Sequence, residues 1–577
     1  MSHELVARLR EVQRRLCAPG APFEVAEAVV RGERIRVFVN APADVREAVA
    51  PARSFGDREF LVYRDERWSF GRFFEHADAL TTQLIGRYGI VKGDRIAVAM
   101  RNRPEWLTAA IAVLSAGAIL VPLNSWGRRE ELLHGLTDSA PKLIFCDEPR
   151  LRHVAADLAP LGIQAVVTDA PASTDGRRVV PYAELVATGA GAPQPAVVLT
   201  PDDDALILYT SGTTSLAKGV LSTHRAICQA LASFECAGAI AGMTSPDVVE
   251  AIMAQGLAPT MLTAVPLFHV SGLHAHFLHS LRSGRRMVMM YRWDVEEALR
   301  LIERERVTAV AASTAMIAQL LSAPSFTVTD TRSLTAVGLG GAAVTRRVID
   351  LIEDQRPTAM AGIGYGLTET NGVGTVASGA AFRYKPTSSG IALPIMDVRI
   401  VGPDGAVLGE GETGEICLRG VALMQSYWRD ADATARVLQD GWFATGDVGY
   451  VDDEGFLFVI DRIKDIVNRG GEKISTAEVE SCVSRLPQVA EVAGVALPDA
   501  VLGEVLALVV RLHPGTALAA EQICAHVGQH LAAFKVPAHV VFLDEDLPRN
   551  ASGKLLRREL AKRLAHDVAG TAGARNS

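Results

Sequence analysis

From Asp94 onward the chain alternates short apolar runs with stretches of helical periodicity, and this alternation constrains the fold most. Arg95–Met100, Ala118–Leu123, Lys142–Cys146 and Ala165–Thr168 are apolar runs without an alternating polar face. That is the pattern of strands buried on both sides. Glu105–Ser115 between them has helical periodicity, so the expected class is α/β with mostly parallel strands. The run Leu107–Leu123 has the length of a membrane span, but Ser115, Gly117 and Pro122 interrupt it. It reads as a buried helix running into a buried strand, with no transmembrane segment.

At 577 residues the chain has material for about four ordinary domains. A net charge of −8 argues against a general nucleic-acid binder, so no nucleic-acid partner is expected. The seven cysteines are scattered without a C-x-x-C pair, which points to a reducing compartment and buried thiols. No basic-then-apolar leader follows Met1, so a cytoplasmic enzyme is expected. Glu4–Leu16 reads as an amphipathic helix packed on the body as an appendage. Oligomeric state has no sequence signature here.

Chemistry enters at Leu206–Val220. A strand, Ala205–Tyr209, empties into Thr210, Ser211, Gly212, Thr213, Thr214 and Ser215, and reaches Lys218. Backbone N–H groups, hydroxyls and a lysine in one loop suit a phosphate. A Walker A loop fails on spacing, because Ala217 stands where its second glycine belongs. Ala264–Leu273 reads as a strand end presenting Phe268 and His269. The histidines 269, 274, 276 and 279 lack a ligand frame of carboxylates or cysteines and read as structural or pocket-lining.

Two further strands, Leu334–Gly338 and Ala359–Ile363, run into glycines: Gly340 and Gly341 with Ala342 and Ala343, then Gly364, Tyr365 and Gly366. Backbone without side chains at strand ends is where ligands approach an open α/β sheet. Tyr365 could stack on a base, and Glu369 is a hard-oxygen ligand for magnesium. From about Thr387 short strands and turn dipeptides mark a β-rich subdomain, with Asp447 expected in a glycine turn. After Asp461–Asp465 comes Ser475–Glu478, spaced as a capping box, and then a compact α/β unit closing on Leu547–Lys554.

In their order, Tyr209–Gly219, Gly340–Val344, Tyr365–Glu369, Trp442–Asp447, Asp461–Asp465 and Pro548–Lys554 resemble the adenylate-forming superfamily. That superfamily includes acyl-CoA synthetases, aryl-CoA ligases, luciferases and peptide-synthetase adenylation domains. The resemblance, from about Gly56 to Arg558, implies a large N-terminal domain, residues 1–463, of mostly parallel α/β sheets. Within it lies a small β-rich subdomain at about 387–463. A smaller mobile C-terminal α/β domain would occupy 464–577. It implies that Thr210, Ser211, Gly212, Thr213, Thr214 and Lys218 hold the ATP phosphates. Gly341, Ala342, Ala343, Gly364, Tyr365 and Gly366 would form the adenine pocket. Thr368 would touch the α-phosphate, Glu369 would bind Mg²⁺, and Asp447 and Arg462 would hold the ribose. Lys554 would be the mobile catalytic lysine and Lys464 the hinge. Gly470, Gly471 and Glu472 would face the CoA tunnel, with His269 as a gate. Ser215 and Ala217 replace the usual glycine and proline without removing a hydroxyl or the lysine.

The resemblance implies an AMP-forming acid:CoA ligase using ATP, Mg²⁺ and CoA as co-substrate. Phe268, Gly338, Gly340, Gly372 and Gly374 suggest an apolar acyl pocket, hence a fatty, alicyclic or aryl monocarboxylic acid. Arg282, Arg285 and Arg286 are expected on a solvated face or at CoA phosphates. Two alternatives are an adenylating enzyme serving a carrier-protein thiol, and a non-catalytic nucleotide- or lipid-binding relative.

Overall fold

The structure is a computed structural model describing residues 2–169, 179–192, 195–210, 217–341, 344–470, 472–499, 501–550 and 553–564. The α/β alternation becomes two large sheets. The first has eight strands, in the order Ser426–Tyr427, Gly219–Thr223, Asp204–Tyr209, Ile119–Pro122, Arg95–Ala99, Leu143–Asp147, Gln164–Thr168 and Val179–Pro181. From Asp204–Tyr209 to Val179–Pro181 every pairing is parallel. The run Leu107–Leu123 is helix Pro104–Ser115, buried nearly throughout, followed by strand Ile119–Pro122, as its punctuation predicts.

The second sheet has nine strands, with Met360–Tyr365, Ala336–Gly340, Ala309–Ser313, Thr260–Thr263, Arg286–Met289 and Glu59–Tyr63 parallel at its centre. Helix His224–Thr244 sends Leu231 into one core, Cys236 and Ile240 into a second and Ala230 into a third. Packing against three cores explains its small residues. It is long and apolar enough to cross a membrane by length and composition alone, and 61% of that window is buried inside the protein. Helix Ser2–Leu16 packs against it and contributes Val6, Leu9 and Val12 to the second core.

A third, antiparallel sheet carries Met396–Val401, Gly414–Gly420, Trp442–Val451 and Leu457–Arg462, the β-rich texture read after Thr387. The C-terminal sheet begins at Val467–Arg469 and has its own core around Val479, Leu508 and Val527. Its first helix, Thr476–Val483, is capped by Ser475, whose hydroxyl accepts from Glu478 N. Glu478 itself receives Lys535 Nζ at 2.6 Å, so only half of the predicted box forms.

Candidate active site

Strands Asp204–Tyr209 and Gly219–Thr223 are antiparallel neighbours, and Thr210 N donates to Lys218 O at 2.9 Å. Thr210 and Lys218 thus close a hairpin at the two ends of the phosphate-type segment. Ser211, Gly212, Thr213 and Thr214 lie outside the described residues; their anchors are inside. Tyr209 Oη donates to Asp138 Oδ2 at 2.6 Å, and His134 Nε2 donates to Ala217 O at 2.9 Å. Lys218 Nζ stands 4.9 Å from the centre of the Tyr427 ring.

Tyr427 was not legible as a site residue. Its hydroxyl donates to Glu369 Oε1 at 2.9 Å, and Met424 N donates to Glu369 O at 2.7 Å. Glu369 follows Thr368 in a single turn, Thr368–Thr370, closed by Asn371 at φ 52°. Asn371 Nδ2 donates to Ser222 Oγ at 3.0 Å and Ala422 O at 2.9 Å, tying this turn to the strand leaving the phosphate hairpin. Burial raises the pKa of Glu369, so its carboxylate gains from a cation. Among the described residues no side chain donates to its Oε2, and the hard-oxygen donor set fits Mg²⁺.

The two glycine segments end strands instead of following them, since the strands extend through Gly340 and Tyr365. A Cβ built on Gly340 or Gly364 would meet its first atom at 3.9 or 4.0 Å, and at Gly341, φ 75°, nothing within 4 Å. Flat backbone facing open space suits a planar base. Ala342 and Ala343 lie outside the described residues. Gly366, Gly374 and Gly338 are glycines for another reason. Their Cβ atoms would stand 2.5 Å from Gly372 backbone, 2.4 Å from Tyr365 O and 2.9 Å from Ala311 Cβ, so close packing accounts for them.

Asp447 lies within strand Trp442–Val451, not in a turn, directly opposite Arg462. The expected bend survives as two irregularities beside Gly446 at φ 72°, one between Ala444 and Val448 facing Gly414–Gly420 and one after Val448 facing Leu457–Arg462. Arg462 Nε is 3.0 Å from Asp447 Oδ1, and Tyr365 Oη donates to Oδ2 at 2.8 Å. Asp447 is only 3% exposed. With one partner on each oxygen it keeps acceptor capacity for two hydroxyls.

The C-terminal domain brings Lys554 to this group. Its tip is Gly553, φ 82°, where a Cβ would stand 2.4 Å from Ser313 Oγ, so the loop seats directly on the N-terminal sheet. Asn550 holds both ends of the tip, its N donating to Lys554 O and its Oδ1 accepting from Lys554 N. Burial above all, with Arg462 and Lys464 adding to it and Asp447 and Asp465 opposing, lowers the Lys554 ammonium to about 8. Arg347 closes the same interface by donating to Val489 O at 2.9 Å and His513 Nε2 at 3.1 Å. Gly470 and Glu472 are exposed on a hairpin, where Gly470 N donates to Leu502 O at 2.7 Å; Gly471 lies outside the described residues. Lys464 is exposed on the crossing between the two sheets. Beside it Asp461 Oδ2 receives Ser475 Oγ at 2.9 Å and Thr476 Oγ1 at 3.1 Å, a link across the crossing.

Phe268 and His269 sit in a turn, because the strand expected there ends at Thr263. Their rings are 4.5 Å apart, and burial lowers the His269 imidazole to about 4, which keeps it neutral. A Cβ on Gly372 would meet Val270 Cγ2 at 3.4 Å and Phe234 Cζ at 3.6 Å, so Phe234 and Val270 join the apolar wall. The neighbouring arginines are not on a solvated face. Arg282 pairs with Glu235 at 2.6 Å, Arg286 with Glu59 and Glu305, and Arg285 donates to Ser280 Oγ at 2.9 Å and Ala275 O at 3.2 Å.

The family described as AMP-binding enzyme matches residues 49–428, and its C-terminal domain matches 478–554. The chain is 31% identical over 535 residues to a long-chain-fatty-acid–CoA ligase of Mycobacterium tuberculosis, covering 93% of this chain and 96% of that protein. It is 34% identical over 480 residues to a feruloyl-CoA synthase of Amycolatopsis sp., covering 82% and 90%. The o-succinylbenzoate CoA synthetase of Bacillus subtilis, solved with its acyl-adenylate intermediate, superposes with a TM-score of 0.73 at 29% identity, covering 90% and 98%. The chain belongs to the AMP-binding enzyme family, in its ATP-dependent acyl-CoA synthetase branch.

Proposed function

We propose that the protein activates a hydrophobic monocarboxylic acid (fatty, alicyclic or aryl) as its acyl-adenylate and transfers the acyl group to CoA. The observation that carries this reading is the seating of the loop at Gly553 and Lys554 against Ser313 of the N-terminal sheet, which puts Lys554 in the field of Asp447 and Arg462, with Gly470 and Glu472 exposed. That is an arrangement for adenylation. The acid's carboxylate attacks the α-phosphorus of ATP, a P–O bond forms, and the bond to pyrophosphate breaks. All the reacting groups are anionic, so orientation and positive charge are what the protein must supply.

Asp447 would accept the ribose hydroxyls while Arg462 and Tyr365 hold it in place. The open backbone at Gly340, Gly341 and Gly364 would admit the adenine, and Lys218 with the hairpin would steady the leaving pyrophosphate. A Mg²⁺ held by Glu369 would neutralise phosphate charge, and Tyr427 fixes that carboxylate. Lys554 would bridge the α-phosphate and the carboxylate oxygens. The domain would then rotate about Lys464, withdrawing Lys554 and bringing Gly470, Gly471 and Glu472 in for attack by the CoA thiol, with AMP leaving. Neutral His269 beside Phe268 suits a gate to the acyl pocket. Support for a monocarboxylate comes from the apolar wall of Phe234, Phe268, Val270 and Gly372, and from the engagement of Arg282, Arg285 and Arg286 with internal partners.

The test is pyrophosphate release across a panel of carboxylic acids, with and without free CoA. Apolar monocarboxylates are expected to drive both pyrophosphate release and CoA-dependent AMP release. Pyrophosphate release that free CoA never converts to AMP release would favour the carrier-protein alternative. No release with any acid would favour the non-catalytic one.

The lysine also sets a pH limit. With its pKa at about 8 in the free enzyme, the required ammonium is present below that value and lost above it. Adenylation kcat/KM for ATP is therefore expected to fall about tenfold per pH unit on the alkaline side, the slope of a single ionisation. Bound phosphates favour the ammonium, so the limb in kcat should lie at higher pH. Lys554→Arg should remove the limb, and a limb unchanged in that variant would refute the assignment.

A further inference from the structure

The C-terminal domain contains a group of side chains that the reaction does not use. Cys482 lies near the end of helix Thr476–Val483, and His526 and His530 lie one turn apart on helix Ala520–His530, which packs beside it. The Cys482 sulfur and one nitrogen from each imidazole all fall within 4.8 Å of one another. We propose that Cys482, His526 and His530 form a binding site for a zinc-class divalent cation, with a fourth position open to solvent.

The hydrogen bonds of the two rings favour this use. His526 Nε2 lies 3.2 Å from Cys482 O, and His530 Nδ1 lies 2.8 Å from His526 O. A carbonyl oxygen only accepts, so in each ring that nitrogen carries the proton and the other keeps its lone pair. Metal-bound imidazoles are commonly oriented in this way, through a second nitrogen that donates to a backbone carbonyl. The rings already lie close together, with centroids 4.3 Å apart and their planes tilted by 40°. Tetrahedral zinc, with bonds of about 2.0 Å to nitrogen and 2.3 Å to sulfur, needs ligand atoms roughly 3.5 Å apart. Closure from the observed separation is about 1 Å, within reach of side-chain rotation on two fixed helices.

The donor set determines the class of ion. One thiolate and two imidazoles suit zinc and its neighbours, whereas magnesium and calcium require oxygens. Binding replaces the S–H bond by a metal–sulfur bond and releases the proton to solvent, with no change of oxidation state. Cys482 is 3% exposed and His530 is exposed, so the ion would enter from the His530 side and keep a water there. Bound metal would fasten the two helices of the moving domain. None of this depends on the catalytic assignments, because neither helix carries a residue placed in the reaction.

Cobalt(II) added alone to the reduced full-length protein tests the site. A thiolate-to-cobalt charge-transfer band and tetrahedral d–d absorption are expected, saturating at one equivalent and displaced by zinc. Oxygen ligands at Glu369 cannot produce the thiolate band. Cys482→Ser should abolish that band. His530→Ala, at an exposed position that leaves the core intact, should weaken cobalt binding about tenfold or more. Absence of the band, its survival in Cys482→Ser, or unchanged affinity in His530→Ala would each overturn the proposal. A band that follows Cys17 or Cys524 instead would do the same.

Discussion

Lys554→Ala is expected to reduce acyl-adenylate formation by about a hundredfold to a thousandfold, the usual consequence of removing one preorganised charge from a transition state. Thioester formation from supplied acyl-AMP should proceed at the wild-type rate, because that step needs the lysine gone. The variant should not be less stable. Burial lowers the pKa of Lys554 from 10.5 to about 8, so the folded protein disfavours the charged form at neutral pH. Removing the ammonium relieves that cost, and the melting temperature at pH 7 should hold or rise. A functional residue held at the expense of stability gives this opposed pair of results, whereas a merely structural residue would lose both. Pyrophosphate release, thioester formation from acyl-AMP and a thermal melt separate the cases. Wild-type adenylation in the variant would refute the role assigned to Lys554.

The sequence was most informative where local pattern and burial agree. The punctuation of Leu107–Leu123 by Gly117 and Pro122 predicts the break between helix Pro104–Ser115 and strand Ile119–Pro122 because the breakers act within a few residues. The order of the motifs likewise singles out Asp447 and Arg462, which pair at 3.0 Å, and Glu369 and Lys554, which both lie in the field of that pair. Local pattern misled at Asp447. Thr445–Gly446–Asp447 carries turn chemistry, but pairing of Asp447 with Arg462 keeps it in a strand, and the irregular register opposite Gly414–Gly420 absorbs the glycine.

Partners far apart in the chain were not legible. Tyr427 reaches Glu369, Asn371 reaches Ser222, and Asp461 reaches Ser475 only after the sheets assemble. Arg282, Arg285 and Arg286 read as a surface cluster because charge runs commonly are, yet Glu235, Glu59 and Glu305 take two of them inward. His526 and His530 have a recognisable spacing, but Cys482 joins them only through helix packing. Glycine was ambiguous in a similar way. Gly340 and Gly364 face open space, whereas Gly366 and Gly374 meet backbone, and sequence alone does not separate an open site from a crowded one.

Asp447→Ala should have the other large effect, on nucleotide binding. It removes a carboxylate that receives Tyr365 Oη at 2.8 Å and Arg462 Nε at 3.0 Å, and with it the proposed acceptor for the ribose hydroxyls. A hydrogen bond to a charged group contributes about 1.5–3 kcal/mol. Loss of the ribose contact should therefore raise KM for ATP about tenfold to a hundredfold. The three side chains act as a unit, so Arg462→Ala combined with Asp447→Ala should cost less than the sum of the single effects. A second consequence belongs to the charge alone. Asp447 supports the ammonium of Lys554 while Arg462 and Lys464 oppose it, so its removal should lower the lysine pKa below about 8. The alkaline limb of adenylation kcat/KM should then move to lower pH in Asp447→Ala, and also in Asp447→Asn, which retains the shape without the charge. Loss of the ribose contact alone would raise KM and leave the limb in place. A limb displaced in both variants would show that the nucleotide pocket and the mobile lysine are electrostatically one site.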